Sequence, residues 1–117
     1  MIYKEGKVSD VQIAYIGGGS RGWAWTFMTD LALEPNMSGT IRLYDLNENA
    51  AKANETIGNH VTEREEAVGK WKYETYTDAE QALTGLDFIV ISILTGTFEE
   101  LAVDLHMHER LGIYQSV

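Results

Sequence analysis

The chain has no cysteine, so it can hold neither a disulfide framework nor a thiolate metal site. Its single proline, Pro35, disfavours helical geometry in the residue before it and so ends any preceding helix by Glu34. No apolar run approaches the roughly 20 residues of a membrane span, and the opening MIYKEGKVSD is too polar for a signal-peptide core. Positive charge is scarce: nine Lys and Arg against eighteen Asp and Glu leave a net charge of −9. That field repels a phosphate backbone and no basic stripe offsets it, which argues against nucleic acid as a partner. A cytoplasmic location without membrane association is the simplest expectation. A smaller anionic ligand, if one binds, must be attracted locally by backbone donors.

What is present is the make-up of one soluble globular domain: 117 residues, 44% hydrophobic and 23% charged. Residues 1–10 read as a polar lead-in and residues 11–117 as the domain itself. Val11 to Ile16 is a short apolar, β-branched run ending in glycines, the pattern of a buried strand. Ala24, Phe27, Met28 and Leu31 then fall at helical spacing, with a turn expected from Asn36 to Gly39. Thr40 to Asp45 reads as a second strand. Asn47 can cap a long helix with Ala50, Ala53, Ile57, Val61 and Val68 inward and Lys52, Glu55, Glu63 and Glu66 in solvent.

Lys72 to Tyr76 alternates and should be a more exposed strand. Asp78 can cap a short helix holding Ala82 and Leu83, with Gly85 closing it. Asp87 to Leu94 (DFIVISIL) is the most hydrophobic stretch, expected as a central strand covered on both faces. Thr97 then opens a helix with Phe98, Leu101, Ala102 and Leu105 inward. Strands alternating with helices predict an α/β fold, a doubly wound parallel sheet. In such sheets the ligand crevice lies at the carboxyl ends of the strands. That edge would collect Gly17 to Gly22, Asp45 and the segment from Ile93 to Gly96.

Gly17, Gly19 and Gly22 form G-x-G-x-x-G within the loop Gly17-Gly18-Gly19-Ser20-Arg21-Gly22. The spacing alone is weak in a glycine-rich chain. Its context is specific: a strand before, a helix after, and Asp45 closing the next strand about twenty residues past Gly22. This is the Rossmann-type fingerprint for a dinucleotide. Gly17 allows the turn, Gly19 lets a pyrophosphate approach, and Gly22 lets the helix pack on the sheet. Bare N–H groups at the helix start face the phosphates. Asp45 accepts from the adenosine ribose and repels a 2′-phosphate, favouring NAD over NADP, with Ile93 and Leu94 bordering the cofactor.

Arg21 is either a phosphate contact or an exposed loop cation, and Trp23 and Trp25 either flank the cofactor or pack the helix. His106 and His108 point about 200° apart on a helix and cannot share a metal. Neither they nor His60 is assigned a role. No Ser–His–Asp order, paired carboxylates or metal constellation is visible, so no catalytic or metal-binding residue is named within the chain.

IAYIGGGSRGW, IRLYDLNENAA, TDAEQALTGLDFIVISI and ERLGIYQSV together resemble the N-terminal part of glycoside hydrolase family 4, nearest its α-galacturonidase and α-glucosidase branch. The resemblance runs from about Val11 to Val117 and covers roughly the first quarter of a family member. It implies a tightly held NAD that oxidises the sugar C3 hydroxyl. The C2 proton is thereby acidified, the C1 substituent is eliminated, water adds and hydride returns to C3. This lies outside the two-carboxylate scheme of most glycosidases. It also implies a divalent metal, usually manganese, polarising the C2 and C3 oxygens, and a homo-oligomeric full-length protein.

Two departures qualify the resemblance. Members acting on 6-phosphorylated sugars carry an arginine just after the fourth strand; here Leu94 stands in its place, which points to a non-phosphorylated glycoside, with a uronide among the candidates. The family's metal ligands, acid and base fall beyond this sequence. The expectation is therefore the N-terminal part of a larger enzyme, its catalytic and metal domain absent, that binds cofactor at best when isolated. A cofactor domain of a lactate/malate-type dehydrogenase and a non-catalytic NAD-sensing module remain as alternatives.

Overall fold

In a computed structural model, which describes residues 1–115, strand β1 (Ile2–Lys4) forms a hairpin with β2 (Lys7–Ile16). The turn residues Glu5 and Gly6 both take positive φ, 53° and 78°, the mirror-image turn that suits the right-handed twist of paired strands. The polar lead-in is thus structured. All three β1 residues are exposed, so no buried alternation marked it in the sequence.

From β2 the chain alternates as expected. Helix α1 (Trp23–Ala32), strand β3 (Met37–Tyr44), helix α2 (Glu48–Thr62) and strand β4 (Lys70–Tyr76) follow in order. After them come the short helix α3 (Ala79–Leu83), strand β5 (Phe88–Ile91), helix α4 (Phe98–Met107) and a 3₁₀ turn, Glu109–Leu111. β3 pairs parallel with β2 and β4, and β5 pairs parallel with β2. The parallel strands lie in the order β4-β3-β2-β5, with β1 and β5 sharing one edge of β2.

Alternation decides the core. Val11, Ile13 and Tyr15 of β2, Ile41 and Leu43 of β3, and Trp71 and Tyr73 of β4 point to one face and are buried with Ala24, Met28, Leu31 and Ala51. On the opposite face Arg42 reaches the carbonyls at the end of α3, 2.6 Å from Thr84 O, and its guanidinium lies over the Tyr76 ring. Helices therefore lie on both faces of the sheet.

Several local expectations are corrected. Asn36 to Gly39 is not a turn, since β3 already begins at Met37; a Cβ at Gly39 would lie 2.0 Å from Val11 O, beside the irregularity in β2. The inward face of α2 is Ala51, Asn54 and Gly58, while Ala53 and Ile57 are exposed. The aromatic ring of Tyr73 fills the space beneath α2 and only a small residue fits above it: a Cβ on Gly58 would lie 2.6 Å from that ring. Val68 lies past the end of α2. β4 is half buried through Trp71 and Tyr73.

Among the described residues β5 is not a covered central strand but an edge, with Phe88, Ile89 and Ile91 all at least half exposed. α4 buries no residue, and Phe98 and Ala102 are exposed. Ser116 and Val117, which close the GIYQSV segment, lie outside the described residues. Among the described residues no helix is long and apolar enough to cross a membrane.

Candidate functional site

Register brings the strand ends together. Ile16 pairs with Tyr44 and with Ile91, and Tyr44 with Tyr76, so all four parallel strands finish level. The next residues, Gly17, Asp45 and Ser92, therefore emerge along one edge. They open into a cleft of about 1130 Å³, slightly above the usual range for small-molecule sites.

Six of the residues singled out from sequence line that cleft: Gly17, Gly19, Ser20, Asp45, Ile93 and Leu94. Gly18 is buried instead, where a Cβ would lie 2.8 Å from the Leu43 Cβ. Arg21 is exposed beside the cleft, and Gly22 is the N-cap of α1. Trp23 lines the cleft and packs little, being 75% exposed, whereas Trp25 donates from Nε1 to Asn54 Oδ1 at 2.8 Å. Tyr44, Leu46 and Ser92 also border it and were not anticipated. Leu46 is 93% exposed, an apolar side chain held out at the rim by the turn into α2.

The loop is built differently from the motif's usual account. Gly17 has φ +90° and an added Cβ would lie 2.0 Å from Ser92 O, so both conformation and contact demand glycine. Its N–H and that of Gly18 donate to Tyr44 O at 2.9 and 3.0 Å, and Ser20 N donates to Gly17 O at 3.0 Å. Gly19 N donates to Asp45 Oδ2 at 2.9 Å, while Asp45 Oδ1 accepts from Asn47 N at 2.8 Å. A Cβ at Gly19 would meet Ala50 and Asp45 at 2.7 and 2.9 Å, so the Ala50 methyl and the protein's own carboxylate together enforce glycine there. Gly22 faces open space, and close helix–sheet packing is not its reason.

The donors left for a ligand lie further along. Among the described residues the N–H groups of Arg21, Gly22, Trp23, Ala24 and Trp25 have no partner; the first intrahelical bond is Thr26 N to Gly22 O at 3.1 Å. Unpaired donors at the positive end of a helix dipole suit an anion. Each oxygen of the Asp45 carboxylate retains a lone pair after its backbone bond, enough to accept from a diol. These groups fit a dinucleotide. A metal has no such fit: among the described residues no three His, Asp or Glu stand together.

Sequence reasoning also missed Asn54. It is 2% exposed in mid-helix, and its Nδ2 donates to Gly18 O at 2.7 Å and Ser20 O at 2.9 Å. Its spacing from Ala51 and Gly58 was the available signal, an Asn on the stripe of small residues.

Strand order, crossovers and crevice together define a Rossmann-type domain, the first part of a doubly wound sheet. The family profile described as Family 4 glycosyl hydrolase matches residues 12–117. An alpha-galacturonidase of Lachnoclostridium phytofermentans is 71% identical over 117 residues, which is 100% of this chain and 25% of that protein. The crystal structure of lplD, a candidate glucosidase from Bacillus subtilis, superposes with a TM-score of 0.74 at 47% identity, over 92% of this chain and 24% of that one. A 6-phospho-alpha-glucosidase from gut microorganisms, solved in complex with NAD and Mn²⁺, shares the fold with a TM-score of 0.64 at 21% identity, over 92% and 24% of the two chains. The chain belongs to glycoside hydrolase family 4, and it spans about a quarter of the length of these relatives.

Proposed function

We propose that this chain is the NAD-binding portion of a family-4 glycoside hydrolase whose full-length form cleaves a non-phosphorylated α-galacturonide. The observation that carries the reading is the meeting, in one cleft, of the Asp45 carboxylate with the glycine loop and Trp23, where the run of unpaired amides at the start of α1 reaches the cleft edge. The amides of Arg21 to Trp25 take the diphosphate, and Asp45 takes the adenosine ribose and repels a 2′-phosphate. Gly17, Gly18, Gly19, Ser20 and Gly22 shape the loop, and Ile93 and Leu94 border the nicotinamide side. When bound, NAD supplies the hydride acceptor for the sugar C3 hydroxyl, which acidifies the C2 proton and opens an elimination route to cleavage.

Among the described residues no Lys or Arg lines the cleft, and Leu94 is apolar. A sugar phosphate desolvated there would lack a counter-charge, which supports an unphosphorylated substrate. The uronide rests on the likeness to proteins named as alpha-galacturonidases. The base, the acid and the ligands of a divalent metal, manganese on the family pattern, lie outside this chain, so the isolated chain binds cofactor and does not hydrolyse. The full-length protein works in this reading as a cytoplasmic homo-oligomer on a small glycoside. The net charge of −9 supports leaving nucleic acid out.

Calorimetric titration of this chain should show NAD binding and no comparable binding of NADP; equal affinities would defeat the role given to Asp45. For the full-length protein, hydrolysis of an α-galacturonide in deuterated water should place deuterium at C2 of the product. Hydrolysis that keeps protium at C2 would exclude the elimination route.

A further inference from the structure

Asn54 occupies a position on α2 where an apolar side chain would serve packing, yet all the hydrogen bonds of its side chain reach the glycine loop or α1. Its nitrogen meets only carbonyl oxygens and its oxygen meets an indole N–H. The partners' chemistry thus fixes which way the amide points. Two peptide units are held as a result. In a trans peptide the C=O and N–H point in opposite directions, and no bond among the described residues is cis. The Gly18–Gly19 unit is gripped at both ends, its C=O by Asn54 and its N–H by the Asp45 carboxylate. The Ser20–Arg21 unit is gripped at its C=O by the same Asn54, and its N–H has no partner among the described residues.

We infer that Asn54 is a positioning residue for the cofactor diphosphate. By turning the Ser20 carbonyl toward α2 it aims the Arg21 N–H away from α2, where an anionic oxygen stands to Arg21 as the Asp45 carboxylate stands to Gly19. Trp25 completes the brace by holding the Asn54 oxygen at 2.8 Å and so tying loop, α1 and α2 together. This rests on the reading of the cleft as an NAD site.

The test uses this chain, its Asn54→Ala and Trp25→Phe variants, NAD titration and residue-resolved amide exchange. Asn54→Ala should weaken NAD binding by about tenfold or more, the scale of one lost charge-assisted contact. It should also speed exchange at the amides of Gly18, Gly19 and Ser20 while amides within β2 and β3 stay protected. A role in stability alone would loosen loop and sheet together. A folded Asn54→Ala that binds NAD within about twofold of wild type, or loosens loop and sheet alike, overturns the proposal. If Asn54→Ala does not fold, Trp25→Phe decides. It keeps an aromatic side chain, smaller than the indole, and removes the Nε1 donor, so weaker NAD binding with faster loop exchange supports the brace and no change in either removes it. A wild-type chain that binds no NAD refutes the cofactor reading itself, and the exchange data then still decide whether Asn54 holds the loop.

Discussion

At Gly17 the backbone stands at φ +90° with Ser92 O 2.0 Å from where a Cβ would be, whereas a Cβ at Gly22 would meet nothing within 4 Å. The two glycines look equivalent in the motif and differ in what constrains them. Gly17→Ala should destabilise the chain by about 1–3 kcal/mol from conformation alone, with the clash added. Gly22→Ala should cost no more than about 1 kcal/mol, the difference between residues at an N-cap. Urea denaturation of the two variants measures this, and the opposite order would contradict the geometry. The loop and Asp45 were legible because a strand-turn-helix run and the length of one βαβ unit fix their spacing. Asn54 was not, because its work depends on α2 crossing over a loop more than thirty residues earlier in sequence.

Helix α2 shows where an element's pattern misleads. Hydrophobicity put Ala50, Ala53 and Ile57 inward, but the sheet beneath already presents the Tyr73 ring, and the helix answers with Gly58 at closest approach. Gly58→Ala sets two effects against each other. Alanine gains about 1 kcal/mol of helix propensity, and a Cβ 2.6 Å from the ring brings an overpacking cost of about 1–3 kcal/mol. Overpacking should win, so thermal denaturation should show a lower midpoint for the variant; a higher one would mean that α2 can shift outward freely.

Helix α4 was placed correctly by its cap. Thr97 Oγ1 accepts from Glu100 N at 3.2 Å, and Glu100 Oε2 accepts from Thr97 N at 2.7 Å, a reciprocal capping box. The backbone N–H and then the hydroxyl of Thr97 hold the Glu100 carboxyl below the usual carboxylate range. A folded-state value lowered in this way stabilises the helix start above the ordinary glutamate pKa of about 4.3. That contribution is lost as pH falls through the lowered value. The Thr97 amide resonance should therefore titrate below the ordinary range and become flat in Glu100→Gln. Titration at an ordinary pKa would break the argument.

The molecule measures 55 × 29 × 27 Å with a radius of gyration of 17.0 Å, against about 13 Å for a compact domain of about 100 residues. The excess agrees with a C-terminal part that buries little: Phe98, Leu111 and Tyr114 are each more than 70% exposed. Among the described residues β5 adds an unpaired apolar edge, a standing hazard for strand-to-strand association. The isolated chain should associate with rising concentration. Added salt should strengthen this by screening the repulsion of its −9 charge. Ile89→Lys should shift sedimentation profiles toward monomer, and a wild-type chain that stays monomeric in high salt would count against the exposed edge.

The sequence by itself determined the alternation of strands and helices, the helix caps at Asn47, Asp78 and Thr97, and the glycine loop with its following carboxylate. All are local: each follows from spacing, backbone conformation or a capping side chain within a few residues or one supersecondary unit. Only the tertiary structure decided which face α2 buries, that β5 is an edge, that the first ten residues form a hairpin, and that Asn54 and Asp45 grip the loop. Those depend on which surfaces meet across long separations, and hydrophobic periodicity records only that a face is apolar, never what lies opposite it.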